Sequence, residues 1–544
     1  MDIIWLLLRS SWIRVTVAVV SGLLSGVGSA ALIALINTAI EQGTPRSLIL
    51  PFAGIALLAL VTSSVSQFLL VDLAQDSVYQ LRMQLSRRIL SSPLQQLERL
   101  GPSKLLAVLT KDVQIISNSI FVLPFLCIDI AVICGCILYL GTLSGWGVAI
   151  VVGFFVAAIT LVQILIAAAF RYMKLAREEI DRLFKNFRGI TEGTKELKLN
   201  TLRQQRFFEE DLQVNAAIVR DYTKTAYKLS AISTSSGQLL FFTLIGLMIF
   251  WVPQVVPAIR PVLPAYILTL TYVVSYIEGL LRRLPNLLEA NVSVRKVTEM
   301  GLTLSQQAEI SSPRKNNSLP AWQSLTLKHV VHTYRGETTH AELTDSTFSV
   351  GPIDLTLKRG ELIFIVGGNG SGKSTLAKLI AGLYIPESGK LLLDDEPIVD
   401  SNREWYRQLF SAVFSDYYLF ERLISTEEIA LESTAQIYLE KLQLEKKVSI
   451  QNQQLSTTAL SQGQRKRLAL LAAYLEDRPI YLFDEWAADQ DPVFREIFYT
   501  QLLGELSTRG KTIIVISHDD HYFHIADRII KLDYGQIESD ESHF

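Results

Sequence analysis

Long apolar runs separated by charged stretches fill the first 300 positions, whereas the remainder reads as short apolar strands interleaved with helices. The runs lie at residues 15–40, 48–70, 121–140, 146–170, 237–253 and 263–281. Each is close to, or above, the roughly 20 helical residues needed to cross a hydrocarbon core, so six membrane spans are predicted. The first run continues past Ser29-Ala30-Ala31, which favours an uncleaved anchor over a signal peptide. Residues 78–90 and 177–187 mix apolar positions at helical spacing with charge, as in membrane helices that run on into water. Gly101-Pro102 and Gly189 are predicted interruptions, with short coupling helices near residues 94–108 and 189–206.

The connections at 41–47, 141–145 and 254–262 are short and carry few basic residues. The long connections carry Arg82, Arg87, Arg88, Lys104 and Lys111, then Arg171, Lys174, Arg177, Arg182, Lys185 and Arg188. The excess of positive charge places those connections, both termini and the C-terminal half in the cytoplasm. The expected organisation is a transmembrane domain over 1–300, a polar linker over 301–320, and a soluble α/β domain over 321–544. No peptidase unit precedes the first span, so leader cleavage by this chain is not expected.

The formal charge of −2 gives no case for a nucleic-acid partner. Cys127, Cys134 and Cys136 share one apolar segment without metal-ligand spacing and are expected to be packed or lipid-facing thiols. Asp129 and Glu278 fall inside predicted spans. A carboxylate there is costly and therefore a functional candidate, against the plainer reading that Glu278 sits near the cytoplasmic end and that Asp129 lies near the outer half or lines a wet cavity without contacting substrate.

The chemistry is concentrated in the second half. Gly367-Gly368-Asn369-Gly370-Ser371-Gly372-Lys373-Ser374-Thr375 lies between an apolar strand and a helix, the context a phosphate-binding loop requires. Its glycines let successive N–H groups turn toward phosphate oxygens, with Lys373 reaching the terminal phosphates and Ser374 reaching Mg²⁺. Ile480-Tyr481-Leu482-Phe483-Asp484-Glu485 is an apolar strand ending in two acids. Asp484 is placed to hold Mg²⁺ through water, and Glu485 to polarise the attacking water. Ile513-Ile514-Val515-Ile516-Ser517-His518 is a second such strand, whose His518 would orient that water and contact the γ-phosphate. Tyr334, on an alternating run, could stack on a nucleotide base.

Leu460-Ser461-Gln462-Gly463-Gln464-Arg465-Lys466-Arg467-Leu468 resembles the ABC signature, here LSQGQ. The whole chain resembles an ABC exporter half-transporter of type I architecture. The resemblance implies ATP and Mg²⁺ as cofactors, Tyr334 as the adenine-stacking residue, Gly367 through Thr375 as Walker A, Glu485 as catalytic base and His518 as switch histidine. It also implies that Ser461, Gln462, Gly463 and Gln464 meet nucleotide held by a second copy, with Asp491 as the D-loop acid. A homodimer in the cytoplasmic membrane is the simplest assembly, a heterodimer the alternative. Where the family has its Q-loop glutamine the chain reads Val413-Phe414-Ser415-Asp416, and Ser415 is expected to be too short to reach the metal. Asp416 is a candidate to act there through water. Phe410 to Asp416 together with Thr458 to Leu468 is similar to the cyclic-peptide exporter branch, which handles lipopeptides, siderophore precursors and microcin-type peptides. The expected activity is ATP-driven export of a peptide-like, cyclic or acylated molecule. The alternatives are a lipid or multidrug exporter and an exporter-fold siderophore importer.

Overall fold

The computed structural model describes residues 2–41, 43, 46–306, 322–335, 347–424 and 431–542. The chain divides into two compact units. One comprises Met1–Arg82 and Thr110–Val297, the other Met83–Leu109 and Thr298–Phe544.

The first unit is helical: α1 (Asp2–Glu41), most of α2 (Ile49–Leu90), α5 (Val113–Leu143), α6 (Gly145–Glu192), α7 (Thr194–Leu199), α8 (Thr201–Arg206), α9 (Gln213–Phe250), α10 (Val252–Val255) and most of α11 (Leu263–Gln306). The intervening α3 (Leu94–Leu100) and α4 (Pro102–Ala107) belong to the second unit. Among the described residues, six stretches are long and apolar enough to cross a membrane: Trp12–Ile40, Arg46–Leu90, Phe125–Leu143, Gly145–Glu192, Thr201–Val255 and Pro257–Arg283. At 1.5 Å per residue, the 48 residues of α6 run to about 70 Å. A hydrocarbon core is about 30 Å thick. The charged half of α6 must therefore stand in water, as its sequence pattern predicts.

Helix α1 packs on α5, and α6 on α9. Close approach of the first pair explains Gly26, where a Cβ would meet that of Ala131 at 2.2 Å. Near the opposite end of α5, Tyr266 places its hydroxyl 2.9 Å from the Leu140 carbonyl and 2.8 Å from that of Ser144, joining α11 to α5. Gly101 breaks α3 from α4 with a positive φ of 74°. Gly189 is no interruption: α6 continues to Glu192 and stops at Gly193, whose N–H donates to the Gly189 carbonyl. Helix α11 runs to Gln306, beyond the predicted start of the linker, and the rest of that linker lies outside the described residues.

The second unit contains β1 (Ser324–Arg335), β2 (Thr347–Lys358), β3 (Leu362–Gly367), α12 (Lys373–Ile380), β4 (Ser388–Leu393), β5 (Glu396–Pro397), α13 (Arg403–Arg407), β6 (Phe410–Val413), α14 (Leu431–Lys441), β7 (Ile450–Gln451), β8 (Gln454–Leu455), α15 (Gln462–Glu476), β9 (Ile480–Asp484), α16 (Pro492–Ile497), α17 (Leu503–Thr508), β10 (Thr512–Ile516), β11 (Arg528–Asp533) and β12 (Gln536–Ser542). The larger sheet has the order β12-β11-β3-β10-β9-β6, and all its pairs are parallel except β11 with β12. Its central strands are buried on both faces, which is why β3, β9 and β10 read as unbroken apolar runs. Strands β2-β1-β4-β5 form a separate antiparallel sheet.

Candidate functional site

Because β3, β10 and β9 are adjacent and parallel, their C-terminal ends bring Gly367, Ser517 and Asp484 to one edge, the usual ligand crevice of an open α/β sheet. Three motifs far apart in the chain meet there.

The glycine-rich loop leaves β3 at Gly367, where φ is +147° and a Cβ would sit 2.2 Å from the Leu532 carbonyl oxygen. Gly372, at φ +99°, starts α12. Lys373, 5% exposed, folds its ammonium back on the Gly367 and Gly368 carbonyls at 3.0 and 2.9 Å. Burial pushes its pKa down, while Glu485 and Asp484 hold it up. Asn369 and Gly370 are exposed, and Thr375 is half-buried. Ser371 is buried, with its Oγ lacking a hydrogen-bond partner among the described residues. A buried hydroxyl without a partner, a loop amine resting on its own carbonyls and a helix N-terminus together fit a phosphate group.

Asp484, 1% exposed, accepts from Ser374 Oγ at 3.2 Å. On its other side Ser415 Oγ lies 3.5 Å away, and the Ser415 backbone N–H also bonds the carboxylate. Burial raises the Asp484 pKa, Ser374 lowers it, and the charges of Glu485 and Asp416 raise it further. Ser415 therefore meets the carboxylate of Asp484, and its expected shortness toward a metal stays an expectation. The backbone after β6 brings the short hydroxyl up to the carboxylate. Asp416 is exposed and acts on Asp484 through its charge. Ser374, Asp484 and Ser415 gather oxygen atoms of the hard type that suits Mg²⁺, so the residues present fit that ion.

Glu485 adopts a left-handed backbone conformation, φ 49° and ψ 35°, which turns the chain sharply off β9. Its Oε1 lies 3.3 Å from His518 Nε2, and both side chains are partly exposed, so a water can reach them. The predicted acid and histidine do meet.

The signature stretch opens α15. Ser461 caps α15 by accepting from the Gln464 N–H, and Gln464 reaches back to the Ser461 N–H, a complete capping box. Gly463 packs so closely that a Cβ would meet the Asp489 oxygen at 2.9 Å. Among the described residues, hydrogen bonds of this stretch run to Asp489, Gln490 and Tyr417 and not to the phosphate loop. Asp491 caps α16 and pairs with Arg467 at 2.5 Å, and the Phe494 N–H it accepts holds its pKa down. Tyr334 lies on β1 opposite Phe348, and its side chain is outside the described residues.

Sequence reasoning overlooked Lys466 and Trp486. Lys466, 3% exposed, donates to the Glu485 carbonyl at 2.9 Å and pairs with Asp489 at 2.6 Å. Trp486 donates its indole N–H to the Lys466 carbonyl. They join α15 to the backbone of Glu485. The available signal was a lysine at a core-facing position of α15.

Of the membrane acids, Asp129 is buried and paired with Arg283 of α11, whose guanidinium lies 5.0 Å from the Phe125 ring centre. Glu278 is exposed. Cys136 is buried, Cys127 intermediate and Cys134 exposed, all as free thiols.

A phosphate loop, a strand-end acid pair, a strand-end histidine and a helical span domain define an ATP-driven membrane transporter. Residues 350–488 match the ABC transporter family, and residues 12–277 match the ABC transporter transmembrane region. The chain is 38% identical over 530 residues to the ATP-binding protein SyrD of Pseudomonas syringae pv. syringae, covering 96% of this chain and 93% of that protein. It is 30% identical over 263 residues to the toxin RTX-III translocation ATP-binding protein of Actinobacillus pleuropneumoniae, covering 45% of this chain and 35% of that protein. A bacterial Atm1-family ABC exporter solved with ATP bound has the same fold, with a TM-score of 0.68 and 17% identity over 98% of this chain and 95% of that one. The chain belongs to the ABC transporter family and is an exporter half-transporter that couples Mg²⁺-dependent ATP hydrolysis to transport.

Proposed function

We propose that two copies of this chain form a homodimer in the cytoplasmic membrane, termini inside, and export a peptide-like, cyclic or acylated molecule. The observation that carries the reading is the likeness to SyrD along nearly the whole chain, span domain included. The similarity to a toxin translocation protein over less than half of the chain, together with the branch-like stretches Phe410 to Asp416 and Thr458 to Leu468, supports a peptide cargo.

Each phosphate loop supplies Lys373, Ser371 and the N–H groups entering α12. Ser374 and Asp484, with Ser415 and the charge of Asp416 beside them, would hold Mg²⁺, which neutralises phosphate charge when bound. Ser461, Gln462, Gly463 and Gln464, with Asp491, complete the pocket of the second copy. Their lack of bonds to their own phosphate loop is consistent with such a composite site. Tyr334 stacks on adenine. Glu485 accepts a proton from the attacking water, and His518 holds the pair in register. ATP closure passes through residues 94–108 and 189–206 to the spans and turns the cavity outward.

Purified chain in proteoliposomes tests the cargo assignment. ATPase stimulation by a cyclic or N-acylated peptide, and not by phospholipid or a cationic drug, is the expected result. Stimulation by lipid or drug alone would replace it with the lipid or multidrug reading.

A further inference from the structure

The segment Met83–Leu109 leaves the span unit and clusters with the nucleotide-binding residues. Its contact is specific. Glu98 on α3 accepts from Lys378 Nζ at 2.9 Å and from the Tyr384 hydroxyl at 2.5 Å. Lys378 lies on α12, the helix that begins at Lys373. Tyr384 is 4% exposed, its own N–H bonds the Lys378 carbonyl at 3.1 Å, and the Lys378 ammonium lies 5.3 Å from its ring centre. His332 of β1, fully buried, stacks on Tyr384 at 4.7 Å. Leu94, one turn before Glu98, packs on the buried cluster that includes Leu376 and Ile380 of α12.

One carboxylate is thus held by the last turn of α12 and by Tyr384 just beyond its C-terminal end. A phosphate bound at the N-terminus of α12 and a charge contact near its C-terminus act on the same eight-residue helix. At the position where a long glutamine side chain would link the metal to the membrane segment, this chain has Ser415, whose side chain is engaged with Asp484.

We infer that Glu98 is a positioning residue through which the phosphate-loop helix α12, by way of Lys378 and Tyr384, reports nucleotide state to the span unit. Glu98 touches no reacting atom; it transmits. The inference rests on the chain being an ATP-driven exporter and not on its cargo.

The test uses the full chain in proteoliposomes without cargo, in a Cys127→Ala, Cys134→Ala, Cys136→Ala background. A bimane label is placed at Trp146→Cys, an exposed position at the start of α6. Nucleotide trapping by ATP and vanadate is measured alongside the bimane response it produces. Glu98→Ala is expected to trap nucleotide as well as the parent while the bimane response falls roughly tenfold. Lys378→Glu is expected to lose the response likewise, and Glu98→Lys with Lys378→Glu to regain it, which a merely structural role would not produce. A normal response in Glu98→Ala, loss of trapping along with the response, or failure of the double exchange to restore it would each overturn the inference. Because no cargo is present, a wrong cargo assignment leaves this outcome unaffected.

Discussion

At the residue scale the pairing of Glu485 with His518 is the clearest feature of the candidate site. Glu485 and His518 meet at 3.3 Å only because β9 and β10 are parallel neighbours ending at the same level. Glu485→Gln is expected to lower ATP turnover by roughly 10²–10⁴-fold while nucleotide binding persists, as turnover and binding assays on the same preparation would show. His332 offers a pH test. Burial holds its pKa below the ordinary value, so on acidification the unfolded chain takes up this proton first. The associated stability is fully present above the ordinary histidine range and is lost as pH falls through it toward the lower folded value. The melting temperature of the whole chain should drop between about pH 7.5 and about pH 5.5, and His332→Phe should shrink that drop. Lys373, Asp484, Glu485 and His518 were all legible in the sequence because each ends or follows a strand in a distinctive motif. The engagement of Ser415 with Asp484 was not, since side-chain length alone says nothing of where the backbone passes.

At the scale of elements, the six spans and their watery extensions followed from run length and charge, because a long apolar helix has few alternatives in a bilayer. Break points were harder to place. Gly101 breaks a helix at a positive φ, whereas Gly189 lies within a continuous one, and the single letter is the same in both cases. The signature helix invites a direct test. Ser461→Ala removes the cap hydrogen bond, expected to cost about 1 kcal/mol in thermal unfolding. With the composite site proposed above, it should also lower ATPase more than ATP affinity. Between α5 and α11, Asp129 pairs with Arg283, and Ser293 donates to Asp112 at 3.0 Å. Neither partner was evident from sequence, where each group stands far from the other. Asp129→Asn leaves a guanidinium without its counter-charge and should destabilise the protein in detergent by about 3 kcal/mol, and adding Arg283→Gln should recover most of the loss.

At the scale of the molecule, a span domain and an ATP-hydrolysing domain occur in one chain, as ATP-driven transport requires. The central claim is ATP-driven export of a peptide-like cargo, and accumulation of a fluorescent cyclic peptide in inside-out vesicles measures it most directly. The account predicts accumulation that requires ATP and Mg²⁺ and is abolished by Glu485→Gln. Peptide accumulation confined to right-side-out vesicles, or ATP-driven movement of labelled lipid with none of peptide, would contradict it.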